Sequence, residues 1–214
     1  LVTAGATVEY IDPIRVVTNQ SSGRMGLEIA LEVFRRGADT TLLLGHASVN
    51  PPNYIPTVRV NDSESLKQAI RSQLAGKPPD IYFSTIAVAD YKPVRKREKK
   101  ADTTYESRLH IDLEAVDKIL PMVKGLSPST VVVAFKAEYH VDEEQLVEKA
   151  KRLLEYSDIV YASDVARPEA RFGSETTSGV VVDRNGNVIT VPNKLKSEVA
   201  AMLVDLAASM MTMG

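Results

Sequence analysis

The feature that most constrains this chain is a change of hydrophobic period that recurs along its whole length. Short strand-like runs alternate with segments whose apolar residues fall three and four apart. "LVTAG" reads as a strand and turn, and Met25, Ile29, Ala30, Val33 and Phe34 then form a helical stripe that stops at Gly37. "DTTLLLG" and "TVRV" are the next strands. "NDSESLKQAIRSQLAG" supplies N-cap residues, a stripe of Leu66, Ile70 and Leu74 and a terminal glycine, which predicts a helix. "DIYFSTI", "LHIDL", "TVVVAF" and "DIVYAS" add strands, with helices expected from about Ala115 and over "DEEQLVEKAKRLLEY". In "GVVVDRNGNVITV", Asn185-Gly186 suits a type I′ turn between alternating strands, and an amphipathic helix over about 194–210 closes the chain. Strands followed by helices imply three layers, with helices on both faces of a mainly parallel sheet and ligands outside the carboxyl ends of its strands.

The expected fold class is therefore α/β, Rossmann-like, with a C-terminal β-hairpin. The 214 residues, 44% hydrophobic and 25% charged, suit one large domain over 1–214 with an ample core. A formal net charge of −2 argues against a nucleic-acid binder held mainly by phosphate contacts, so any anion site must be local. The absence of cysteine removes disulfides, thiolate nucleophiles and cysteine metal sites. His46, His110 and His140 have no ligand spacing, so no protein-bound metal is assigned. No apolar run approaches the ~20 residues that span a bilayer and no signal segment opens the chain, which fits a cytoplasmic protein without a membrane partner. The chain opens without Met on a strand-like run, which suggests a domain of a longer polypeptide.

"TNQSSGRMG", residues 18–26, runs small polar residues and a glycine straight into the first helical stripe. A helix N-terminus presents unpaired N–H groups and the positive end of the dipole, so Ser21, Ser22 and Gly23 read as a phosphate seat. The competing reading is a serine N-cap with two packing glycines. "TAGAT", residues 3–7, is a second small-residue loop at the end of the first strand and favours the phosphate seat. Neither loop is a GxGxxG or a GxxxxGK[ST], which argues against a standard dinucleotide fingerprint and a P-loop. Between them "VEYIDPIRVV" reads as a long insertion, whose Arg15 offers a planar fork to an anion or pairs with Glu9.

"TAGATVEYIDPIRVVTNQSSGRMG" closely resembles the opening signature of the phosphopantothenoylcysteine synthetase family. The resemblance continues, in order, through "AVADYKP", "RKREKK", "AFKAE" and "DIVYASDVARPEARFGSETTSGVVVD". It implies a ligase of coenzyme A biosynthesis that joins 4′-phosphopantothenate to L-cysteine, often fused to a phosphopantothenoylcysteine decarboxylase. The substrate carboxylate attacks the α-phosphate of CTP, brought in with Mg²⁺, to give an acyl-cytidylate and pyrophosphate. Cysteine then displaces CMP. The substrates supply both nucleophiles, which suits a chain without cysteine.

By motif position the resemblance assigns Asn19 to the acyl-cytidylate step, and Gly5, Thr7, Ser21, Ser22 and Gly23 to the triphosphate. Arg15, Asn19 and Ala87 would meet phosphopantothenate, while Ser84, Thr85 and Ile86 read the base and Asp90 belongs to the nucleotide site. The basic run falls in a flap, about 91–113, whose first lysine contacts the nucleotide in the family. Here Arg97 stands at that position, followed by Lys99 and Lys100, and any of the three is a candidate. Asp117, Lys118 and Ile119 fall where the family has a short element beside the nucleotide, although this chain reads "VDKI". Phe135 would pack near the base. Lys151 matches the first of two lysines four apart, with Glu155 at the second position. Homodimerisation through the flap is also implied. An ATP-dependent version of the ligase, a Rossmann-type reductase and a non-catalytic interaction module are the alternatives. A reductase would need GxGxxG and an acidic residue after the second strand, where "LLLGHAS" has none.

Overall fold

The computed structural model describes residues 1–102, 104 and 107–211. In chain order its elements are β1 (Val2–Ala4), β2 (Val8–Tyr10), β3 (Val16–Thr18), α1 (Arg24–Arg35), β4 (Leu42–Leu44), β5 (Thr57–Arg59), α2 (Ser63–Leu74), β6 (Ile81–Ser84) and β7 (Tyr91–Pro93). Then follow β8 (Leu113–Ala115), α3 (Ile119–Leu126), β9 (Val131–Glu138), α4 (Glu143–Leu153), β10 (Ile159–Asp164), a 3₁₀ turn (Pro168–Ala170), β11 (Thr176–Asp183), β12 (Val188–Leu195) and α5 (Lys196–Met211).

Eight strands form one sheet in the order β5-β4-β1-β6-β9-β10-β11-β12. The chain begins in the middle at β1, winds outward through β4 to β5, then crosses back to β6 and winds outward the other way. These six strands are parallel, and β11 and β12 add an antiparallel edge. Period-two alternation sends successive side chains to opposite layers. Leu42, Leu44, Val133, Ile159 and Tyr161 pack with Ile29 of α1 and Leu203 of α5. Leu43, Tyr82 and Val132 face the other way, onto Leu66 and Ile70 of α2 and Val123 of α3. Val160 and Ala162 meet Leu146 and Ala150 of α4. The expected three-layer α/β fold with a C-terminal hairpin is the observed one. Helices α2 and α4 start as their sequences indicate, with capping boxes at Asp62 and Asp142. No helix among the described residues is long and apolar enough to cross a membrane.

Four local expectations need correction. The helix expected from about Ala115 starts at Ile119, because Leu113–Ala115 pairs antiparallel with Tyr91–Pro93. The strand expected over "LHIDL" begins only at its last residue for the same reason. Asn185-Gly186 is not a type I′ turn: Gly186 alone of the pair has positive φ, and the Asp183 carboxylate takes the N–H groups of Asn185 and Asn187 at 2.9 Å each. That side chain supplies the bonds an open turn would leave unmade, so Asn185 is not driven into the left-handed region. Finally, "VEYIDPIRVV" is not an open loop but the hairpin β2–β3.

Fully buried Asp12 ties the end of that hairpin. Its carboxylate accepts the N–H groups of Ile14 and Arg15 at 2.8 Å each, pairs with the Arg15 guanidinium at 2.5 Å, and accepts the Ala101 N–H at 3.3 Å. Burial opposes ionisation here, and these hydrogen bonds overcome it, holding the carboxyl well below the usual range. Arg15 therefore pairs with Asp12 and not with Glu9, which instead accepts the Ser63 N–H at 2.8 Å. The basic run is drawn onto the same hairpin: Arg97 N–H donates to Ile11 O at 2.8 Å and the Lys96 ammonium lies 4.7 Å from the Tyr10 ring centroid.

Candidate active site

Winding reverses between β1 and β6, and in an open α/β sheet that reversal leaves a crevice at the carboxyl ends of the two strands. Residues 19–26, the 85–88 segment after β6 and the end of β9 wall a cleft of about 630 Å³ there, with Tyr161, Thr177 and Lys196 in its floor. Helix α1 can start beside it because two positions lack a side chain. Gly23 has φ +78°, a left-handed conformation, and a Cβ on it would sit 2.9 Å from Ala47 Cβ. A Cβ on Gly26 would lie 2.5 Å from Ala4 Cβ and 2.8 Å from Thr3 O, so the helix lies directly on β1.

The N-cap is Gly23, not a serine, and it makes no side-chain cap. Ser21 Oγ and Ser22 Oγ accept the N–H groups of Gly23 and Arg24 at 3.3 Å each. The first bond of the helical ladder runs from Leu27 N–H to Gly23 O at 3.0 Å, so the N–H groups of Met25 and Gly26 have no acceptor within the helix. Both residues line the cleft. The phosphate seat and the pair of packing glycines, weighed against each other in the sequence, are compatible at one helix end.

A second cavity, about 260 Å³, lies beyond Val88 and is lined by Ser84, Asp90, Asp117, Lys118 and Ile119 among others. Val88 lines both cavities, and Asn19 Nδ2 donates to Val88 O at 2.9 Å. Asn19 thus stands at the junction. Across from it the Lys118 ammonium bonds Asp90 at 3.0 Å and holds that carboxyl below the usual carboxylate range, with Asn19 and Lys136 close enough to add to the effect.

The structure divides the residues singled out in the sequence. Asn19, Ser21, Ser22, Gly23, Thr85, Ile86, Ala87 and Phe135 line the larger cleft, and Phe135 packs edge-on to Tyr161 at 5.8 Å. Ser84, Asp90 and residues 117–119 line the smaller one, where Asp117 is paired with Lys67 at 2.7 Å. Gly5 and Thr7 line neither and are buried beneath them. Gly5 has φ +83°, with His46 O 2.6 Å from where a Cβ would be, and Thr7 Oγ1 accepts the Ala89 N–H at 2.9 Å. Arg15 is held at the hairpin by Asp12. Lys99 and Lys100 are exposed, and neither they nor Arg97 line either cavity. Lys151 lies on the exposed side of α4, while its neighbour Arg152 lines the smaller cavity.

Sequence reasoning missed the cations of the larger cleft. Arg24 pairs with Glu175 at 3.2 Å, and Lys136 pairs with Glu138 at 3.1 Å. Glu138 also takes Lys149 at 2.7 Å; burial opposes its ionisation, but the two ammonium groups keep its carboxyl below the usual range. Lys136 was within reach of the sequence, being the middle residue of "AFKAE" on the strand whose end meets the crevice. Among the described residues no three His, Asp or Glu side chains converge as a metal cage.

Residues 1–211 match the model of the DNA/pantothenate metabolism flavoprotein C-terminal domain. The coenzyme A biosynthesis bifunctional protein CoaBC of Thermococcus kodakarensis is 39% identical over 96% of this chain and 49% of its own length. The CoaBC protein of Escherichia coli is 30% identical over 96% of this chain and 50% of its own length. The chain spans about half the length of the curated relatives it matches. Among solved structures, the C-terminal domain of a coenzyme A biosynthesis bifunctional protein CoaBC superposes with a TM-score of 0.79 at 28% identity, covering 99% of this chain and 94% of that one. On its match over residues 1–211 and its fold, this chain belongs to the family of the DNA/pantothenate metabolism flavoprotein C-terminal domain.

Proposed function

We propose that this chain is a phosphopantothenate–cysteine ligase that consumes CTP in the synthesis of coenzyme A. The observation that carries the reading is the junction of the two cavities at Asn19 and Val88. A nucleoside in the smaller cavity, beside Ser84, Asp90 and Lys118, brings its α-phosphorus to Asn19 and its outer phosphates over the start of α1. An oxygen of the 4′-phosphopantothenate carboxylate attacks that phosphorus, and the bond to the β-phosphate breaks to release pyrophosphate. The amine of cysteine then attacks the acyl carbon, CMP leaves with the bridging oxygen, and an amide remains.

The chain's residues bind, orient and neutralise; neither step calls for a protein nucleophile. The Asn19 amide, moved from Val88 O to the acyl oxygen, donates where negative charge develops. Lys136 and Arg24 supply positive charge from the cleft wall. Mg²⁺ fits as part of the substrate, MgCTP, since this ion is commonly held by phosphates and one or two carboxylates. The flap at 91–113 and a homodimer built on it belong to the same proposal, as does a cytoplasmic enzyme working with a fused or separate decarboxylase.

Mass-spectrometric detection of 4′-phosphopantothenoylcysteine after incubation with both substrates and Mg²⁺, using CTP or ATP, tests the reading. Product with CTP is expected to exceed product with ATP. Product from ATP alone would overturn the nucleotide assignment, and no product from either would overturn the ligase.

A further inference from the structure

Lys196 is the first residue of α5 and the only lysine in that helix. It is 7% exposed, yet it lines the floor of the larger cleft beside Tyr161 and Thr177. A buried ammonium is costly unless its charge is met, and here it is met only in part. Lys196 Nζ donates one hydrogen bond, to Ser174 O at 2.7 Å, and among the described residues no carboxylate lies within ion-pair distance of it. Glu175, next in sequence to Ser174, is taken by Arg24, and Glu28 acts on Lys196 only through its more distant field. Burial and then the neighbouring positive charge of Arg24 push this ammonium below its usual range.

Three sources of positive potential therefore share one end of the cleft, and only Arg24 is met by an acid, the exposed Glu175: Lys196, Arg24, and the start of the twelve-residue α1 with the N–H groups of Met25 and Gly26. A purely structural donor to Ser174 O would not need a full charge in a buried position that opens onto a cleft. A polyanion meets all three demands together. Resting on the ligase reading, we infer that Lys196 is a phosphate-binding residue which, with Arg24 and the α1 N-terminus, holds the pyrophosphate that leaves the nucleotide. As the α-phosphorus–oxygen bond breaks, the bridging oxygen keeps the electron pair. The ammonium donates a hydrogen bond to that growing charge and keeps its own proton.

Calorimetric titration of the intact protein with inorganic pyrophosphate, and separately with 4′-phosphopantothenate, tests this. Lys196→Met should weaken pyrophosphate binding by roughly 10- to 100-fold, the range of a charge-assisted hydrogen bond. It should leave 4′-phosphopantothenate affinity unchanged, and Lys196→Arg should retain most of the pyrophosphate affinity. Unchanged pyrophosphate affinity in Lys196→Met would overturn the assignment, as would a loss confined to 4′-phosphopantothenate. Should Lys196→Met not fold, acetylation of the wild-type protein read by mass spectrometry decides. Pyrophosphate is expected to protect Lys196 and not Lys194, and equal labelling of Lys196 with and without it would refute the site. Because pyrophosphate binding needs no turnover, binding through Lys196 without product formation would sink the ligase reading alone.

Discussion

Replacing Gly26 by alanine tests the close approach of α1 to β1 on which the crevice depends. The added methyl carbon would sit 2.5 Å from Ala4 Cβ and 2.8 Å from Thr3 O, and would also collide with Thr85 Oγ1. Ordinary contacts of this kind lie near 3.5–4.0 Å, so the helix must retreat by about 1 Å from a strand that cannot yield. Ala4 and Thr3 are both fully buried. Overpacking of this kind costs about 3 kcal/mol at the upper end of its usual range, and the better helix propensity of alanine returns about 1 kcal/mol. A net loss of about 2 kcal/mol follows, or a Tm lower by about 4–8 °C for a chain of this size. The same retreat displaces Ser21 and Ser22 from the 85–88 segment, so CTP binding should fall with stability. Gly125→Ala is the control, since it also lies in a helix but has nothing within 4 Å of its Cβ position, and it should stabilise by about 0.5 kcal/mol. Thermal and urea unfolding of the two variants, with CTP titration, decides the matter. Equal stabilisation by both, with intact nucleotide binding in Gly26→Ala, would refute the packing argument.

Asn19→Ala should keep CTP affinity within a few-fold while lowering turnover about 100-fold, as loss of an oxyanion donor does; unchanged turnover in a steady-state assay would remove Asn19 from the chemistry. Deleting residues 92–106 is expected to abolish synthesis and weaken self-association in sedimentation experiments, and a dimeric, fully active deletion would remove the flap from the mechanism. The Glu138 carboxyl lies below its ordinary value of 4.5, so its contribution to stability is complete above that pH and is lost as pH falls through the lower folded value. Urea midpoints of wild type and Glu138→Gln should therefore differ at pH 7 and converge on acidification, and a gap independent of pH would contradict the ion-pair account.

The fold was legible because its information is periodic. Leu42, Leu43 and Leu44 alternate between the two faces of the sheet, and Leu66 and Ile70 mark one side of α2, patterns that need no tertiary knowledge. The misreadings occur where a distant partner decides the backbone. Leu113–Ala115 becomes a strand only because Tyr91–Pro93 lies beside it, and Asn185 avoids a left-handed turn only because Asp183 reaches its N–H. The larger cleft was half legible. Residues 19–23 lie contiguous at a helix start, where composition and position point the same way. Lys196 gave no local signal, since a lysine opening a helix after a strand is an ordinary surface residue until β10, β11 and α1 enclose it. Gly5 and Thr7 illustrate the converse: a small-residue loop suited to a phosphate is suited equally to the packing of two loops, and here His46 O and Ala89 N–H occupy the space.

The central claim is that the substrate carboxylate reacts at the α-phosphorus of CTP within this cleft. Turnover of 4′-phosphopantothenate labelled with ¹⁸O in its carboxylate, together with MgCTP and cysteine, tests it directly by mass spectrometry of the released CMP. One ¹⁸O atom per CMP is predicted, because the bridging oxygen of the acyl-cytidylate departs with the nucleotide. Unlabelled CMP formed alongside product would contradict the account.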